Sequence, residues 1–475
     1  MEAWIGRRSS LPSVTTCVTL TAFHANTCNC NTCDLDTDCL HTLHTSVMKP
    51  APVKPHTSQI QGTPTGLTRS QWMALVAAFL GWMFDGMEMG IFPLVARPAL
   101  QQMQTVAQVA DENFVQSWMG VVTALFLLGA AAGGVVFGWL GDRIGRVRAM
   151  TWSILCYSVF TGLCYFATQP WHLAMLRFIA ALGMGGEWAL GVALVMECWP
   201  EKARPLMAGA IGAAANCGYA LIALVGIQWP VTRESWRWVM LVGVVPALLT
   251  FFIRLFVPES ERWKEAVKSG PSRPIREIFS PPLLKNTALA IAFASVALIV
   301  TWGIVQWIPL WADQMTGGKQ PKVKAYIALF SSVGAAAGSL IAPLIGGMLG
   351  RRPVYFALCL SSLVVSTSMF RLCTEYGTGF LVMTGLVGFC TASFYGWLPL
   401  YLPELFPTRV RATGQGLAFN FGRILAAFGA WQMGSLMAYF DNSYPKAGAT
   451  IVLIYLVGMV LIWFAPETKG KPLPK

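Results

Sequence analysis

From Trp72 to the C-terminus the chain carries twelve apolar windows of roughly 18–26 residues, each long enough to cross the ~30 Å hydrocarbon core of a bilayer as a helix. They run 72–95, 117–140, 149–167, 171–196, 206–227 and 238–256, then 286–308, 325–345, 354–371, 379–400, 414–437 and 447–464. Hydrocarbon offers backbone groups no hydrogen bonds, so segments of this kind span as helices. The longest polar gap follows the sixth window, which divides the spans six and six. Composition agrees: 55% of the 475 residues are hydrophobic, 12% are charged, and the mean hydropathy is +0.55, too apolar for a soluble globular chain. The net charge of +12 does not point to a nucleic-acid partner, because Lys and Arg fall in short clusters between the windows, as in membrane-flanking loops.

Residues 1–70 stand outside this pattern and are expected to form a disordered N-terminal segment. Within 1–47 lie Cys17, Cys28, Cys30, Cys33 and Cys39, with His41 and His44 nearby. Thiolates and imidazoles are soft-metal ligands, yet these spacings match no standard zinc motif and few apolar residues surround them. The other reading is translation from Met48. Neither a metal nor a cofactor is assigned. Residues 71–257 and 286–465 form two six-span halves, 258–285 a central cytoplasmic loop and 466–475 a tail. Nineteen Lys and Arg lie in the connections on the side of the central loop and tail, against eight on the other side. That bias expects both termini in the cytoplasm of a cell (inner or plasma) membrane. Lys319, Lys322 and Lys324 run against it.

The halves repeat one another. GAAAGG from Gly129 recurs as GAAAGS from Gly334, and Gly141-Asp-Arg-Ile-Gly-Arg146 as Gly346-Gly-Met-Leu-Gly-Arg351, both at an offset of 205. Glu197-x-x-Pro200-x-x-x-Arg204 recurs as Glu404-x-x-Pro407-x-x-x-Arg411 at 207, and Pro258-Glu-Ser as Pro466-Glu-Thr at 208. Two similar bundles rocking about a midplane site are a transporter's architecture. The small faces Gly129-x-x-x-Gly133 and Gly334-x-x-x-Gly338 permit close helix crossing.

Charge inside the spans marks candidate sites. Asp85 and Glu88 lie in span 1, within FLGWMFDGMEMGIFPL from Phe79 to Leu94. A carboxylate at the centre of a span costs about 2.5–3.5 kcal/mol on insertion scales, and a spacing of three puts both on one helix face. That face either lines a pathway and binds a proton or substrate, or is a structural pair satisfied by a neighbouring helix. At ~1.5 Å per residue, Glu88 and Arg177 lie about 12 and 9 Å below the outer ends of spans 1 and 4, so they are expected to meet. Arg423 lies about 13 Å into span 11 if that helix starts near Gly414. Its fork of donors fits a carboxylate. A substrate carboxylate, with Asn420 one turn away as helper, is one partner; a structural bridge to Glu187 or Asp85 is the other. Glu187, Asn216, Gln306, Trp307, Tyr395 and Trp397 complete the candidate cavity, though each type occurs more often in packing or at an interface.

Over about residues 70–475 these motifs resemble the major facilitator superfamily. GWLGDRIGRVR, Gly138 to Arg148, is similar to its signature loop. PESERW from Pro258, PELFPTRVRATG from Pro403 and PETKG from Pro466 resemble sugar-porter signatures. RFIAALGMGGEW from Arg177, AFNFGR from Ala418 and Asp85-Gly-Met-Glu88 resemble the sialate:proton and aromatic acid:proton symporters. The resemblance implies an all-α polytopic membrane protein whose twelve transmembrane helices form two pseudo-symmetric bundles. It implies a cytoplasmic gate of Asp142, Arg143 and Arg146 with Glu197 and Arg204. In the second copy Gly347 and Met348 replace Asp142 and Arg143, leaving Arg351, Arg352, Glu404 and Arg411. It also implies Glu88 as the proton carrier, Arg177 as its partner, Asp85 sharing the role, and Arg423 as the group that holds a substrate carboxylate. The expected function is proton-coupled uptake of an organic acid, such as a sialic, aromatic or sugar acid, by alternating access in a lipid bilayer, as a monomer. The alternatives are a proton-coupled sugar transporter and a non-transporting membrane sensor. There is no nucleotide loop or soluble catalytic domain to suggest an enzyme.

Overall fold

The computed structural model describes residues 68–106, 112–229, 231–268, 273–317, 320, 322–431, 439–441 and 443–474. The N-terminal Cys/His tract, Met48, Lys319 and the end of the span 11 window lie outside the described residues. Span 1 is the helix Arg69–Val106, span 2 Glu112–Ile144, span 3 Arg146–Leu163, span 4 Pro170–Cys198 and span 5 Arg204–Gln228. Span 6 is built from Trp236–Val242 and Ala247–Phe256. In the second half span 7 comprises Pro281–Gly303 and Ile308–Met315, span 8 is Val323–Leu349, span 9 Arg351–Leu372, span 10 Thr378–Leu405, span 11 Arg411–Trp431, and span 12 Tyr444–Ile451 with Ile454–Leu461. Two short helices, Glu261–Lys268 and Pro274–Ile278, occupy the central connection.

The breaks and the extensions have local causes. Spans 6 and 7 are interrupted next to Pro246 and Pro309, where a missing N–H and a ring clash disrupt the hydrogen-bond ladder. Span 1 outruns its apolar window because its polar outer turn is used: Gln102 accepts a hydrogen bond from Trp236 Nε1 at 2.8 Å. Span 11 starts three residues before Gly414 because Arg411, Thr413 and Gln415 are buried against the other half, so a hydropathy window undercounts its first turn. The early start puts Arg423 about 18 Å into the helix, still near the midplane.

The sequence repeat reappears as a contact repeat. Gly129 and Gly133 bring span 2 against the carbonyls of Phe178 and Leu182 in span 4, so closely that a methyl group would overlap them. Gly334 and Gly338 bring span 8 against the carbonyls of Gly385 and Phe389 in span 10 in the same way. The halves meet along two further crossings. Gly134 and Gly138 face Asn420 and Ala412 of span 11, while Gly209 and Gly212 of span 5 face Leu340 of span 8 and Tyr395 of span 10.

One end of the molecule gathers the loops after spans 2, 4, 8 and 10 with the central helices; it is called the basic end below. Gly145 and Gly350 both adopt φ 111°, open to glycine, and turn the chain sharply into spans 3 and 9. The first amides of those helices are capped from a distance. Glu259 accepts from the N–H groups of Arg146 and Val147 at 2.9 and 3.1 Å, and Glu467 from those of Arg351 and Arg352 at 3.0 Å. The Pro-Glu-Ser and Pro-Glu-Thr tails after spans 6 and 12 are therefore helix caps in both copies. Burial pushes the Glu259 carboxyl above its ordinary range. For the more exposed Glu467, burial acts upward too, but the N–H groups of Arg351, Arg352, Lys469 and Thr468 outweigh it and hold the carboxyl below that range. The second cap thus keeps its charge to lower pH. Lys324, one of the lysines running against the charge bias, pairs with Asp313 at 2.8 Å.

Close backbone approach makes a specific demand. Gly133→Ala and Gly338→Ala should each lower the thermal unfolding midpoint of the detergent-purified protein, at an overpacking cost of about 1–3 kcal/mol. Gly120→Ala, in span 2 with open space around its Cα, should leave the midpoint unchanged or raise it.

Candidate functional site

The charged residues of the midplane are almost fully buried: Asp85, Glu88, Arg177, Glu187 and Arg423 are all at most 2% exposed. Glu88 and Arg177 form an ion pair between spans 1 and 4. The Thr161 hydroxyl donates to the same carboxylate oxygen at 2.7 Å. The guanidinium lies over the rings of Phe126 and Phe92, 4.6 and 5.2 Å from their centroids. A buried pair surrounded by apolar rings is costly to break on one side only.

Asp85 and Glu187 are held differently. Among the described residues, neither oxygen of either carboxyl has a hydrogen-bond partner. Glu187 packs so tightly on Gly81 of span 1 that a methyl group there would overlap Oε1. Asp85 lies within electrostatic range of Glu187, Arg423 and Glu88. Arg423 Nη1 donates to Asn420 Oδ1 at 2.6 Å and its guanidinium sits 5.3 Å from the Phe419 ring centroid. Its Nε has no hydrogen-bond partner among the described residues. No carboxylate lies within 4.0 Å of it among the described residues, so neither structural bridge considered above, to Glu187 or to Asp85, is formed.

Asn420 does more than assist its neighbour. Its Nδ2 donates to the carbonyls of Gly185 in span 4 and Gly416 in span 11 at 3.0 and 2.9 Å, fixing span 11 against span 4 and holding Arg423 in place. Aromatic rings surround this point: Trp188 stacks on Phe419 at 3.9 Å, Trp82 lies 6.4 Å from both, and Tyr395 lies 6.1 Å from Phe419. Sequence reasoning missed Trp82, Trp188 and Phe419, although each lies within three residues of a charged or amide residue already singled out. A guanidinium with donors to spare, backed by a carboxylate and walled by aromatics, can receive a carboxylate that carries an apolar or ring-shaped body.

The other candidates lie elsewhere. Gln306 accepts from Tyr219 Oη at 3.2 Å, joining span 7 to span 5 across the halves. Asn216 donates to the Gly212 carbonyl of its own helix at 3.3 Å. Trp397 is not part of the aromatic group around Arg423: it is fully buried inside the second half, with ring centroids 4.6 Å from Tyr355, 4.7 Å from Tyr401 and 6.3 Å from Phe293. It follows Tyr395 by two positions, a rotation of about 200° that turns it to the opposite helix face. Trp307 also departs from the expected cavity. The 3₁₀ turn Val305–Trp307 directs its ring to Tyr444, 6.3 Å away, and its Nε1 donates to the Trp302 carbonyl at 3.1 Å.

At the basic end the loop residues form a clasp between the halves. Asp142 accepts from the Ala412 N–H at 3.3 Å and from the Thr413 N–H and hydroxyl at 2.8 and 2.5 Å. Arg146 pairs with Asp142 at 2.7 Å and Glu197 at 3.1 Å and donates to the Thr408 carbonyl at 2.8 Å. Glu197 also pairs with Arg411 at 3.0 Å and accepts from Ser260 Oγ at 2.6 Å. The tail joins in, because Arg411 Nη2 donates to the Pro474 carbonyl at 2.8 Å.

Four expected gate roles are corrected here. Arg204, expected beside the loop of Asp142, Arg143 and Arg146, turns its Nε back to the Met196 carbonyl at 3.2 Å and pairs with Glu201, while Glu197 is taken by Arg146 and Arg411. Arg411 belongs to the clasp between halves rather than to a second-half gate. Arg143 is exposed and lies 4.6 Å over the Trp139 ring, outside the ion network, because a helix turn carries it away from Asp142. Arg352 donates from Nε to the Ala465 carbonyl at 2.6 Å, so Arg351 alone pairs with Glu404, at 2.6 Å. Thr413, Ser260 and Glu259 were missed; the motifs quoted above contain all three. At the pseudo-symmetric crossing, Gly347 stands where Asp142 would be and packs on the ring of Pro205, the counterpart of Ala412.

A double-mutant cycle of Asp142→Asn and Thr413→Val tests the clasp. Thermal unfolding of the four proteins should give a coupling of about 1–3 kcal/mol, and one under about 0.5 kcal/mol would mean the two act independently.

Comparison with known proteins agrees with this architecture. The Major Facilitator Superfamily family model matches residues 72–430. A Haemophilus influenzae protein named as a metabolite transport protein is 31% identical over 412 residues, covering 85% of this chain and 98% of its own. The sialic acid transporter NanX of Escherichia coli is 26% identical, covering 82% and 93%. The solved structure of the proton:xylose symporter XylE bound to 6-bromo-6-deoxy-D-glucose has a TM-score of 0.69 at 17% identity, covers 85% of this chain and 98% of that one, and bears on the fold alone. With the twelve spans, their internal repeat and the matched family model together, this chain belongs to the Major Facilitator Superfamily, as an integral membrane protein among transporters rather than enzymes.

Proposed function

We propose that the protein takes up an organic acid together with protons by alternating access, as a monomer in the cell (inner or plasma) membrane with both termini cytoplasmic. The observation that carries this reading is Arg423: a midplane guanidinium that is 2% exposed, oriented by Asn420, and within 4.0 Å of no carboxylate among the described residues. Leaving such a cation without a counter-ion is expensive in hydrocarbon. A substrate carboxylate relieves that cost. The aromatic walls of Trp82, Trp188, Tyr395 and Phe419 suit a ring or an unsaturated body, and the naming of a relative as a sialic acid transporter is in keeping with an acid substrate.

In this mechanism the Glu88–Arg177 pair carries the proton. While the pair is closed Glu88 is charge-balanced; motion that separates spans 1 and 4 leaves the carboxylate without its cation, and protonation restores neutrality. Asp85, between the pair and Arg423, senses both. Substrate on Arg423 removes the positive field from Asp85 and so links substrate arrival to proton arrival. Asp142, Arg146, Glu197, Arg411 and Thr413 close the cytoplasmic end, with Arg351 and Glu404 bracing the second half.

Reconstituted into liposomes, the protein should accumulate a carboxylate under an inward-directed proton gradient, with sialic, aromatic, hexuronic and aliphatic acids as the panel and sugars as controls. Arg423→Ala should weaken binding of the transported acid by roughly 30-fold or more, as for truncating one partner of a buried charge pair, while Glu88→Gln should keep exchange and lose gradient-driven accumulation. Accumulation of a neutral sugar instead, or unchanged acid affinity in Arg423→Ala, would overturn the acid reading; binding without flux would favour a sensor.

A further inference from the structure

We propose that the groove at the basic end between span 2 and the helix Pro274–Ile278 binds the phosphate headgroup of an anionic membrane lipid. The groove, of about 520 Å³, is open to the surface and lined by Trp139, Arg143, Arg273, Pro274, Ile275, Arg276 and Phe279. Three of these seven are arginines and none is acidic. No carboxylate lies within 4.0 Å of any of the three among the described residues. The acid on this short helix is already committed: Glu277 pairs with Arg409 at 2.8 Å, and its other oxygen accepts from the Arg273 N–H at 2.9 Å. Arg143 is held over the Trp139 ring at 4.6 Å, which fixes its fork of donors at the edge of the groove.

The position of the groove selects a lipid over a free anion. Span 2 ends at Ile144 and span 7 starts at Pro281, so the groove lies where two spanning helices leave the hydrocarbon. Ile275 and Phe279 are 44% and 49% exposed at that level. Free phosphate would use the arginines and gain nothing from exposed apolar side chains. A lipid satisfies both, with its phosphate on the guanidinium groups and its glycerol and upper acyl carbons on Ile275, Phe279 and Trp139. The groove also joins the halves: Trp139 and Arg143 belong to span 2, while the Glu277–Arg409 pair ties the short helix to the loop before span 11. A headgroup seated here favours the arrangement in which the basic end is clasped.

The test uses the full-length protein in neutral detergent and reads the thermal unfolding midpoint against added lipid. Phosphatidylglycerol and cardiolipin should raise the midpoint saturably; phosphatidylcholine, and inorganic phosphate at the same phosphate concentration, should not. Arg273→Gln with Arg276→Gln should weaken the half-saturating lipid concentration on the order of 25-fold, with the lipid-free midpoint as the folding control. Arg273→Lys with Arg276→Lys, which keeps the charge, should recover most of that loss. If the double glutamine variant does not fold, Arg276→Gln alone should give about a fivefold weakening. An equal rise with phosphatidylcholine would mean general lipid solvation. The same rise with phosphate alone would mean an anion site. An unshifted titration in the glutamine variants would place the lipid elsewhere. Any one of these results overturns the proposal.

Discussion

The price of charge in hydrocarbon organises this molecule. A carboxylate or guanidinium taken out of water loses several kcal/mol even after the protein relaxes around it, and only close, well-aligned partners restore the loss. Glu88 and Arg177 restore it to each other, with Thr161 adding a hydrogen bond. In the same low-dielectric layer, and among the described residues, Asp85 and Glu187 have no hydrogen-bond partner, and Arg423 has Asn420 but no carboxylate within 4.0 Å. Spans 1, 4 and 11 therefore meet around a layer where one pair is balanced and three ionisable groups sit beside the stack of Trp188 on Phe419 and the packing of Glu187 on Gly81. Rigid aromatic and glycine contacts surround these groups.

That rigidity rests on close helix approach. In a membrane, apolar side chains give helices little reason to prefer one another over lipid, so tight backbone contact, interhelical hydrogen bonds and lipid entropy drive association. Span 2 uses two glycine faces for two partners: Gly129 and Gly133 seat span 4, and Gly134 and Gly138 seat span 11. Through Gly134 the second face touches Asn420, the residue that orients Arg423. Packing at a helix crossing and chemistry at the midplane are coupled through a single side chain.

Much of this was legible in the chain itself. Spans 1 to 12 follow from apolar length, and the division six and six from one polar gap, because bilayer thickness imposes both. The internal repeat was legible at four motifs; the glycine faces of spans 2 and 8 and the caps Glu259 and Glu467 make equivalent contacts in the two halves, whereas Asp142 and Gly347, and Arg204 and Arg411, do not. The meeting of Glu88 with Arg177 followed from counting residues from helix ends. Side-chain direction did not follow. Trp397 and Tyr395 look alike in a string and face opposite ways on a helix; Gln306 and Trp307 are separated by the twist of a 3₁₀ turn. The place of Arg411 was misread because the repeat suggested contacts within a half and grouped it with Arg351, Arg352 and Glu404, whereas the fold brings it across to Glu197 of the other half. The tails after spans 6 and 12 were recognised as copies, but their work as caps for spans 3 and 9 required knowing which helix ends lie beside them.

The replacement of Asp142 by Gly347, and of Ala412 by Pro205, breaks the pseudo-symmetry at both partners of one contact. On one side of the molecular axis a carboxylate meets two backbone N–H groups and a hydroxyl. On the other, glycine meets a proline ring, and neither side chain has an acceptor or a donor to offer. Hydrogen bonds have to break before the first side can part, and they break over a short distance; van der Waals contact on the second can slide or pivot with little directional cost. The two crossings are thus held by different forces, directional hydrogen bonds at one and shape alone at the other, so the pseudo-symmetry of the fold does not extend to what binds its halves together.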